Sequence, residues 1–302
     1  MGKKLFDNFS SLNYKEWKAA VDKELKGKSF EETLQVNDPI EQISFSKFYN
    51  QSVCSGDGLN FNRASKTDNN NWEIRHTILV KDEKVANKEA LEALNLGCSS
   101  IVFHLSKRGI SYPLLFENIE LDYIKTQFIT QDLPQQEELK KEWPSYCKNS
   151  LCSTYDAFED DFGQDFTRSS HLLINAYAVH QLGANASQET AFALSVGSEY
   201  LHRLIAAGIP IDEAAKRLRF KLGIGNNYFV EIAKIRVFRK LWSNIIAQYK
   251  PKENTSHAAF ISAKTGFVNK SIKDPYTNLL RQTTETMSAV IGGVNEIEVQ
   301  PY

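Results

Sequence analysis

Tyr177, His180 and Gln181 stand where an apolar run, HLLINAYAV, breaks and the amphipathic stretch SQETAFALSVGSEYLHRLIAA begins after Gly183-Ala184. A histidine just past a strand end, with a tyrosine three residues earlier, has the chemistry to exchange protons with a ligand. No Asp or Glu stands nearby in sequence in an orienting position, so a hydrogen-bonded structural histidine is the stronger reading. Gly223-Ile224-Gly225 ends a second apolar run and opens a helix. Its N–H groups could seat a phosphate, or its glycines could serve only a tight turn, and both readings stand. Lys221 on that run and Lys264 at the end of AAFISAKTG could meet an anion or simply be solvated.

Other chemistries find less support. Asp156, Glu159, Asp160, Asp161 and Asp165 are acidic enough for a divalent cation, but their spacing fits no EF-hand, so a solvated loop is expected. The 4 cysteines form no C-x-x-C pair and the 6 histidines no H-x-x-x-H, which argues against a zinc site. With 36 basic against 37 acidic residues, no broad footprint for nucleic acid or an anionic membrane is visible. The start MGKKLFDNFSS lacks the apolar core of a signal peptide, and no apolar run approaches the ~20 residues that span a bilayer. A cytoplasmic protein with free thiols is the expectation.

The elements that must position these residues alternate regularly. Strands are expected over 72–80, 99–105, 122–130, 149–156, 171–179, 217–225, 258–266 and 296–302, with helices between them. Asn185 with Gln188 supplies a capping box, and Asp274-Pro275 an N-cap and a first-turn proline. Strand followed by helix, repeated around the whole chain, predicts a (β/α)8 TIM barrel, in which chemistry sits at the C-terminal ends of the strands. The barrel is expected over 51–302. Residues 1–50 are read as an N-terminal helical arm and an outer strand, with Trp17, Val21 and Leu25 on one side of a helix stopped by Gly27. So short a helix is marginal in water, and its apolar side must rest on the barrel or on another chain.

The blocks RLRFKLGIGNNYFVEIAKIRVFRKLW (217–242), DPYTNLLRQTTETMSAVIGG (274–293) and ETAFALSVGSEYLHRLIAAGI (189–209) resemble the adenosylcobalamin-dependent methylmalonyl-CoA mutase family. The resemblance implies a barrel that, in catalytic members, holds acyl-CoA along its axis beneath a separate cobalamin domain. Catalytic members carry a histidine five residues before the Gly-Ala that opens the following helix; here that place is Ala178. Where they read Arg-x-His-Cys-Gln-Thr-Ser-Gly, this sequence aligned without gaps has Ala259, Ile261 and Ala263 in place of arginine, histidine and glutamine. Arg75 in WEIRHTI is similar to the motif that follows the active-site tyrosine segment, but that segment itself is not recognisable.

The stretch NYKEWKAAVDKELKGKSFEETL is similar to the opening of the family's small, non-catalytic chains, whose arm lies against the partner. The resemblance therefore implies a silent small subunit paired with a large catalytic subunit as a heterodimer. No cofactor or metal would be held by this chain, the C-terminal cobalamin-type domain would be absent from it, and adenosylcobalamin would sit in the partner. The lost groups argue against acyl-CoA binding. Two alternatives stay open: a barrel that itself binds an acyl-CoA or other small ligand through Tyr177, His180, Lys221 and Lys264, and a barrel homologue serving another partner, such as a chaperone-like protein of the B12 system.

Overall fold

The computed structural model describes residues 13–39, 41–46, 49, 71–147, 152–156 and 169–301. The expectations for the polar loop before the first barrel strand and for the acidic segment 157–168 lie outside them. Two compact units divide the chain, residues 1–60 and residues 61–302.

In the first unit, α1 (Tyr14–Glu24) starts at Asn13, whose side chain caps the Glu16 N–H while the Glu16 carboxylate returns to the Asn13 N–H. The ring of Trp17 meets Phe30, the first residue of α2 (Phe30–Leu34), edge-on at 5.8 Å. Val21 and Leu25 share that side of α1 and are likewise partly exposed. A hairpin follows, β1 (Gln35–Asp38) against β2 (Ile43–Ser46), antiparallel and paired with nothing else among the described residues. The sequence predicts a single outer strand here; the antiparallel pairing that ends at Asp38–Ile43 makes two.

The second unit is a closed barrel of parallel strands. In chain order it contains β3 (Glu73–Val80), α3 (Glu83–Asn95), β4 (Ser100–Leu105), α4 (Tyr112–Leu115), β5 (Lys125–Thr130), α5 (Leu133–Glu142) and β6 (Cys152–Asp156). Then come β7 (His171–Asn175), α6 (Ala176–Gln181), α7 (Ala186–Ala206), α8 (Ile211–Arg217), β8 (Leu218–Ile224), α9 (Tyr228–Gln248), β9 (Phe260–Thr265), α10 (Pro275–Gly292) and β10 (Glu296–Glu298). β10 pairs with both β9 and β3, so no sheet edge is left open. This is the eightfold architecture that the alternation predicts.

Local chemistry sets the helix ends. Asp82, Asp132, Asn185 and Asp274 accept hydrogen bonds from first-turn N–H groups of α3, α5, α7 and α10. Gly293, at φ +98°, closes α10 in the left-handed conformation. The run expected as a strand over 171–179 stops at Asn175, because pairing with β8 ends at Asn175–Lys221; Ala176 to Gln181 coil into α6 instead. Leu121–Tyr123 form a short 3-10 turn, so β5 begins only at Lys125.

The apolar core lies mainly between the barrel and its helices. One cluster gathers Phe220, Phe238 and Trp242 with Tyr200 of α7; another gathers Phe103, Phe116, Phe128 and Trp143. A small third cluster, Val102, Ile129 and Leu173, lies on the barrel axis. Gly197 lets α7 approach β8 closely: a Cβ there would meet the Phe220 ring at 2.9 Å and Trp242 at 3.1 Å.

In an open helix, replacing glycine with a better helix former gains up to ~1 kcal/mol. At this contact overpacking reverses the sign, and Gly197→Val is expected to cost ~1–3 kcal/mol in urea unfolding. A neutral or stabilising result would show that α7 can move outward without loss.

Candidate functional site

Strand alternation decides which residues reach the barrel axis. Arg219 lies over the ring of Phe260 at 3.9 Å, Arg75 donates to Ser262 Oγ at 2.8 Å, and Lys264 pairs with Glu298 at 2.8 Å. The pairings Arg219–Phe260, Lys221–Ser262–Glu296 and Gly223–Lys264–Glu298 connect these positions around the barrel. Phe260, Ser262 and Lys264 therefore line the interior of β9. Ala259, Ile261 and Ala263 point the other way, buried in the apolar cluster beneath the helices. The gapless alignment of the sequence placed those three at the catalytic positions; parity shifts the axis-lining residues by one. The types now facing inward, phenylalanine, serine and lysine, again include no arginine, histidine or glutamine.

These inward side chains are spent on one another. The Glu296 carboxylate accepts from Arg75 Nη1 at 3.2 Å and from Gln127 of β5 across the axis, with Ser100 at 3.4 Å. Glu298 accepts from Thr77 Oγ1 at 2.9 Å and from Lys264 Nζ, with Arg75 Nε 3.9 Å away. Burial alone would raise the Glu298 pKa, but Lys221, Arg75 and Lys264 outweigh it and hold the carboxyl at about 2. Tyr177 projects from α6 over this group, with Lys221 Nζ and Lys264 Nζ each 5.4 Å from its ring centre. Burial and the Glu298 charge push its phenol up to about 12, so the hydroxyl stays protonated.

Three of the four sequence candidates, Tyr177, Lys221 and Lys264, thus meet at the mouth. His180 does not join them. A Cβ at Gly223 would lie 2.2 Å from its ring, and one at Gly266 2.9 Å from Nε2, so the imidazole fills a slot that only glycine leaves open. Behind it stands a buried charge cluster that single-chain spacing did not reveal. Lys234 Nζ pairs with Glu189 at 2.7 Å and Glu231 at 2.6 Å, and donates to the Gly223 carbonyl at 2.8 Å. Glu189 accepts the Gly223 N–H at 2.6 Å and Glu231 the Gly225 N–H at 3.1 Å. The Gly223 and Gly225 N–H groups, two of the donors that a phosphate at this turn could use, are thereby taken. The i, i+3 spacing of Glu231 and Lys234 on a helix face was the available clue; Glu189, on a different helix, had none.

Burial works against the Lys234 ammonium, but Glu189 and Glu231 outweigh it and raise its pKa. With one cation between two carboxylates, burial raises the proton affinity of Glu189. His180 Nδ1 lies 3.7 Å from Glu189 Oε2, beyond hydrogen-bond reach. Burial and the Lys234 charge therefore prevail over Glu231 and Glu285 and lower the imidazole to about 4. It is a neutral packing group near pH 7. The sequence analysis read a hydrogen-bonded structural histidine; here the ring is held by packing against Gly223 and Gly266, and Glu189, the carboxylate nearest to it, stands at 3.7 Å.

At the opposite, N-terminal end of the strands lies a cavity of about 540 Å³ whose lining includes Leu121, Lys125, Trp143, Arg219 and Phe260. The buried Nε of Arg219 has no hydrogen-bond partner there. No group of three or more His, Cys, Asp or Glu suited to a metal ion occurs among the described residues, and no described helix is long and apolar enough to cross a membrane.

Residues 126–302 match the family model described as methylmalonyl-CoA mutase. The chain is 32% identical over 340 aligned residues to the methylmalonyl-CoA mutase small subunit of Porphyromonas gingivalis, covering 99% of this chain and 54% of that protein. It is 34% identical over 139 residues to the methylmalonyl-CoA mutase of Rhizobium meliloti, covering 46% of this chain and 20% of the other. With the mitochondrial methylmalonyl-CoA mutase of Homo sapiens it shares 37% identity over 132 residues, covering 43% and 18%. The chain thus spans about half the length of the small-subunit relative that it matches along nearly its whole extent.

The lowered pKa of His180 makes a pH prediction. Unfolded imidazole titrates near 6.5, whereas the native one waits until about 4. Across that window the unfolded chain takes up a proton that the native chain refuses, so this stabilisation is full above the window and is lost as pH falls through it. Stability should drop by about 2 kcal/mol between near pH 7 and near pH 5, and His180→Gln should remove most of that slope. Urea unfolding at both pH values measures it; an unchanged slope in the variant would assign the proton elsewhere.

Proposed function

The chain belongs to the methylmalonyl-CoA mutase family, and from that premise we propose that it is a small, catalytically silent subunit, or its barrel portion, that supports a large catalytic subunit. In that assembly the large subunit would hold adenosylcobalamin and interconvert methylmalonyl-CoA and succinyl-CoA. The observation that carries the reading is the state of the barrel axis. Where catalytic members use the axis for acyl-CoA, the inward groups here are joined across it as Arg75–Glu296–Gln127 and Lys264–Glu298. Opening a route would break buried ion pairs, at ~3–5 kcal/mol for each charge left alone.

The loss of donors points the same way. Ala178 has only a methyl where a thioester carbonyl would need a hydrogen-bond donor. The family is cobalamin-dependent, but the mouth of this barrel does not suit a corrin: the His180 imidazole is packed against Gly223 and Gly266, and the mouth lysines Lys221 and Lys264 flank Tyr177. Trp17, Val21 and Leu25, partly exposed on α1, are the arm residues offered to the partner. A cytoplasmic complex agrees with free thiols at Cys98 and Cys147.

Mixed with a large subunit from the same source, the chain should co-elute with it in size-exclusion chromatography. Alone it should show no mutase turnover and no cobalamin uptake. Turnover by the isolated chain would sink the proposal.

The cavity beside Arg219 favours one second reading, a barrel that itself takes an acyl-CoA or other small anionic ligand, now at the N-terminal end of the strands rather than at the mouth. Calorimetric titration with an acyl-CoA tests it directly: heat of binding that Arg219→Ala abolishes would support it, and no heat would reject it.

A further inference from the structure

Among the described residues no carboxylate lies within ion-pair distance of Arg219, although Arg75 has Glu296 and Lys264 has Glu298. Its Nη2 donates to His171 Nε2 at 3.1 Å. A guanidinium can only donate, so that ring nitrogen accepts, and the contact leaves the Arg219 charge unneutralised. The Nε is buried without a partner, and the Phe260 ring lies 3.9 Å from the guanidinium carbon. Such stacking fixes the plane of the fork but supplies no acceptor for its N–H groups.

Arg219 and Phe260 both line the cavity of about 540 Å³ at the N-terminal end of the strands, and both also line a second one of about 320 Å³ with Lys216 and Asn295. Thr126, whose buried Oγ1 likewise lacks a partner, belongs to the wall of the larger cavity. Two polar side chains that the fold leaves unsatisfied thus border one space. Each carries a desolvation penalty that a bound ligand removes.

The rest of the wall sets the charge and shape of that ligand. Glu73 is paired with Lys125 at 2.6 Å, Glu296 with Arg75, and Asp122 accepts from Cys147 Sγ at 3.2 Å. The lining therefore sets three acids, Glu73, Asp122 and Glu296, against two bases, Lys125 and Arg219. A polyanion inside the cavity meets repulsion from those acids, whereas one carboxylate matches the single uncountered fork. Leu121, Ile124 and Trp143 give the same cavity apolar walls, and its volume is that of a small-molecule site.

We propose that this cavity binds a monocarboxylate with a hydrocarbon or aryl body, its carboxylate on the Arg219 guanidinium and its body against Leu121, Ile124 and Trp143. This deepens the second reading above and rests on it: that reading places a ligand at Arg219, and the wall charges name its class.

The test is calorimetric titration of the full chain with hexanoate, with hexanol as the uncharged counterpart and with hexanoyl-CoA as the polyanionic one. Hexanoate should bind at least tenfold more tightly than either, and Arg219→Gln should weaken it at least tenfold. In the wild-type chain, methyl resonances of Leu121 and Ile124 should shift on adding hexanoate, a readout that does not depend on how well the variant folds. Binding of hexanoyl-CoA without binding of hexanoate overturns this inference and leaves the second reading intact. No binding by either overturns both. Equal affinity for hexanoate and hexanol, undiminished hexanoate binding by Arg219→Gln, or unmoved Leu121 and Ile124 methyls would each overturn the proposal.

Discussion

A parallel strand in a closed barrel sends alternate side chains to the axis and to the helices, and this period of two governs what every other feature here can be. On β8 it sends Phe220 and Leu222 outward into the aromatic core and Arg219 and Lys221 inward. On β9 it hides Ile261 and Ala263 beneath the helices and gives the axis Phe260, Ser262 and Lys264. Because β10 joins β3 and β9, a slip of one residue on any strand would bury its charges among the outer aromatics and put its apolar side chains among the axis ions. The apolar outer faces, more than the ion pairs, fix the register.

The ion pairs do a narrower job. Buried charges lose hydration, and an apolar replacement is often as stable, so Arg75–Glu296 and Lys264–Glu298 are weak evidence for stability in themselves. What they bring is mutual satisfaction: each carboxylate takes donors from more than one strand, so the interior has a single arrangement. The Glu189–Lys234–Glu231 cluster does the same outside the barrel, tying α7 and α9 to the Gly223 and Gly225 backbone and holding the slot in which His180 packs.

The eightfold alternation was legible from the sequence because strand and helix periods differ and because Asn185, Asp274 and Gly293 punctuate them. The mouth was partly legible: Tyr177 and Lys264 stand at or just past strand ends, and the structure brings them together with Lys221 from the middle of β8. His180 was ambiguous because Tyr177 and His180 lie on α6 rather than on the strand expected over 171–179, and strand alternation therefore does not say where either ring points. Glu189 and Lys234 are 45 residues apart, and no local pattern joins them. Which residues of β9 face the axis was not legible for a plain reason. Alignment by residue type treats an apolar run as uniform, whereas the alternation of Phe260, Ser262 and Lys264 with Ala259, Ile261 and Ala263 is fixed by which side meets Trp242 and which meets Glu296.

A barrel that binds ligand on its axis must leave inward polar groups unsatisfied by each other, ready for the substrate, and that readiness costs stability. In this chain Arg75, Lys221 and Lys264 gather around Glu298, and Gln127 reaches across to Glu296, so most of the charge that could have waited for a ligand is instead countered from within, with the Nε atoms of Arg75 and Arg219 left over. The same exchange repeats at the β8–α9 turn, where carboxylates of the chain accept the Gly223 and Gly225 N–H groups. The axis and the β8–α9 turn thus follow one rule: polar groups at each are answered by charges of the same chain, while the apolar side chains of β8 and β9 turn out into the core beneath the helices.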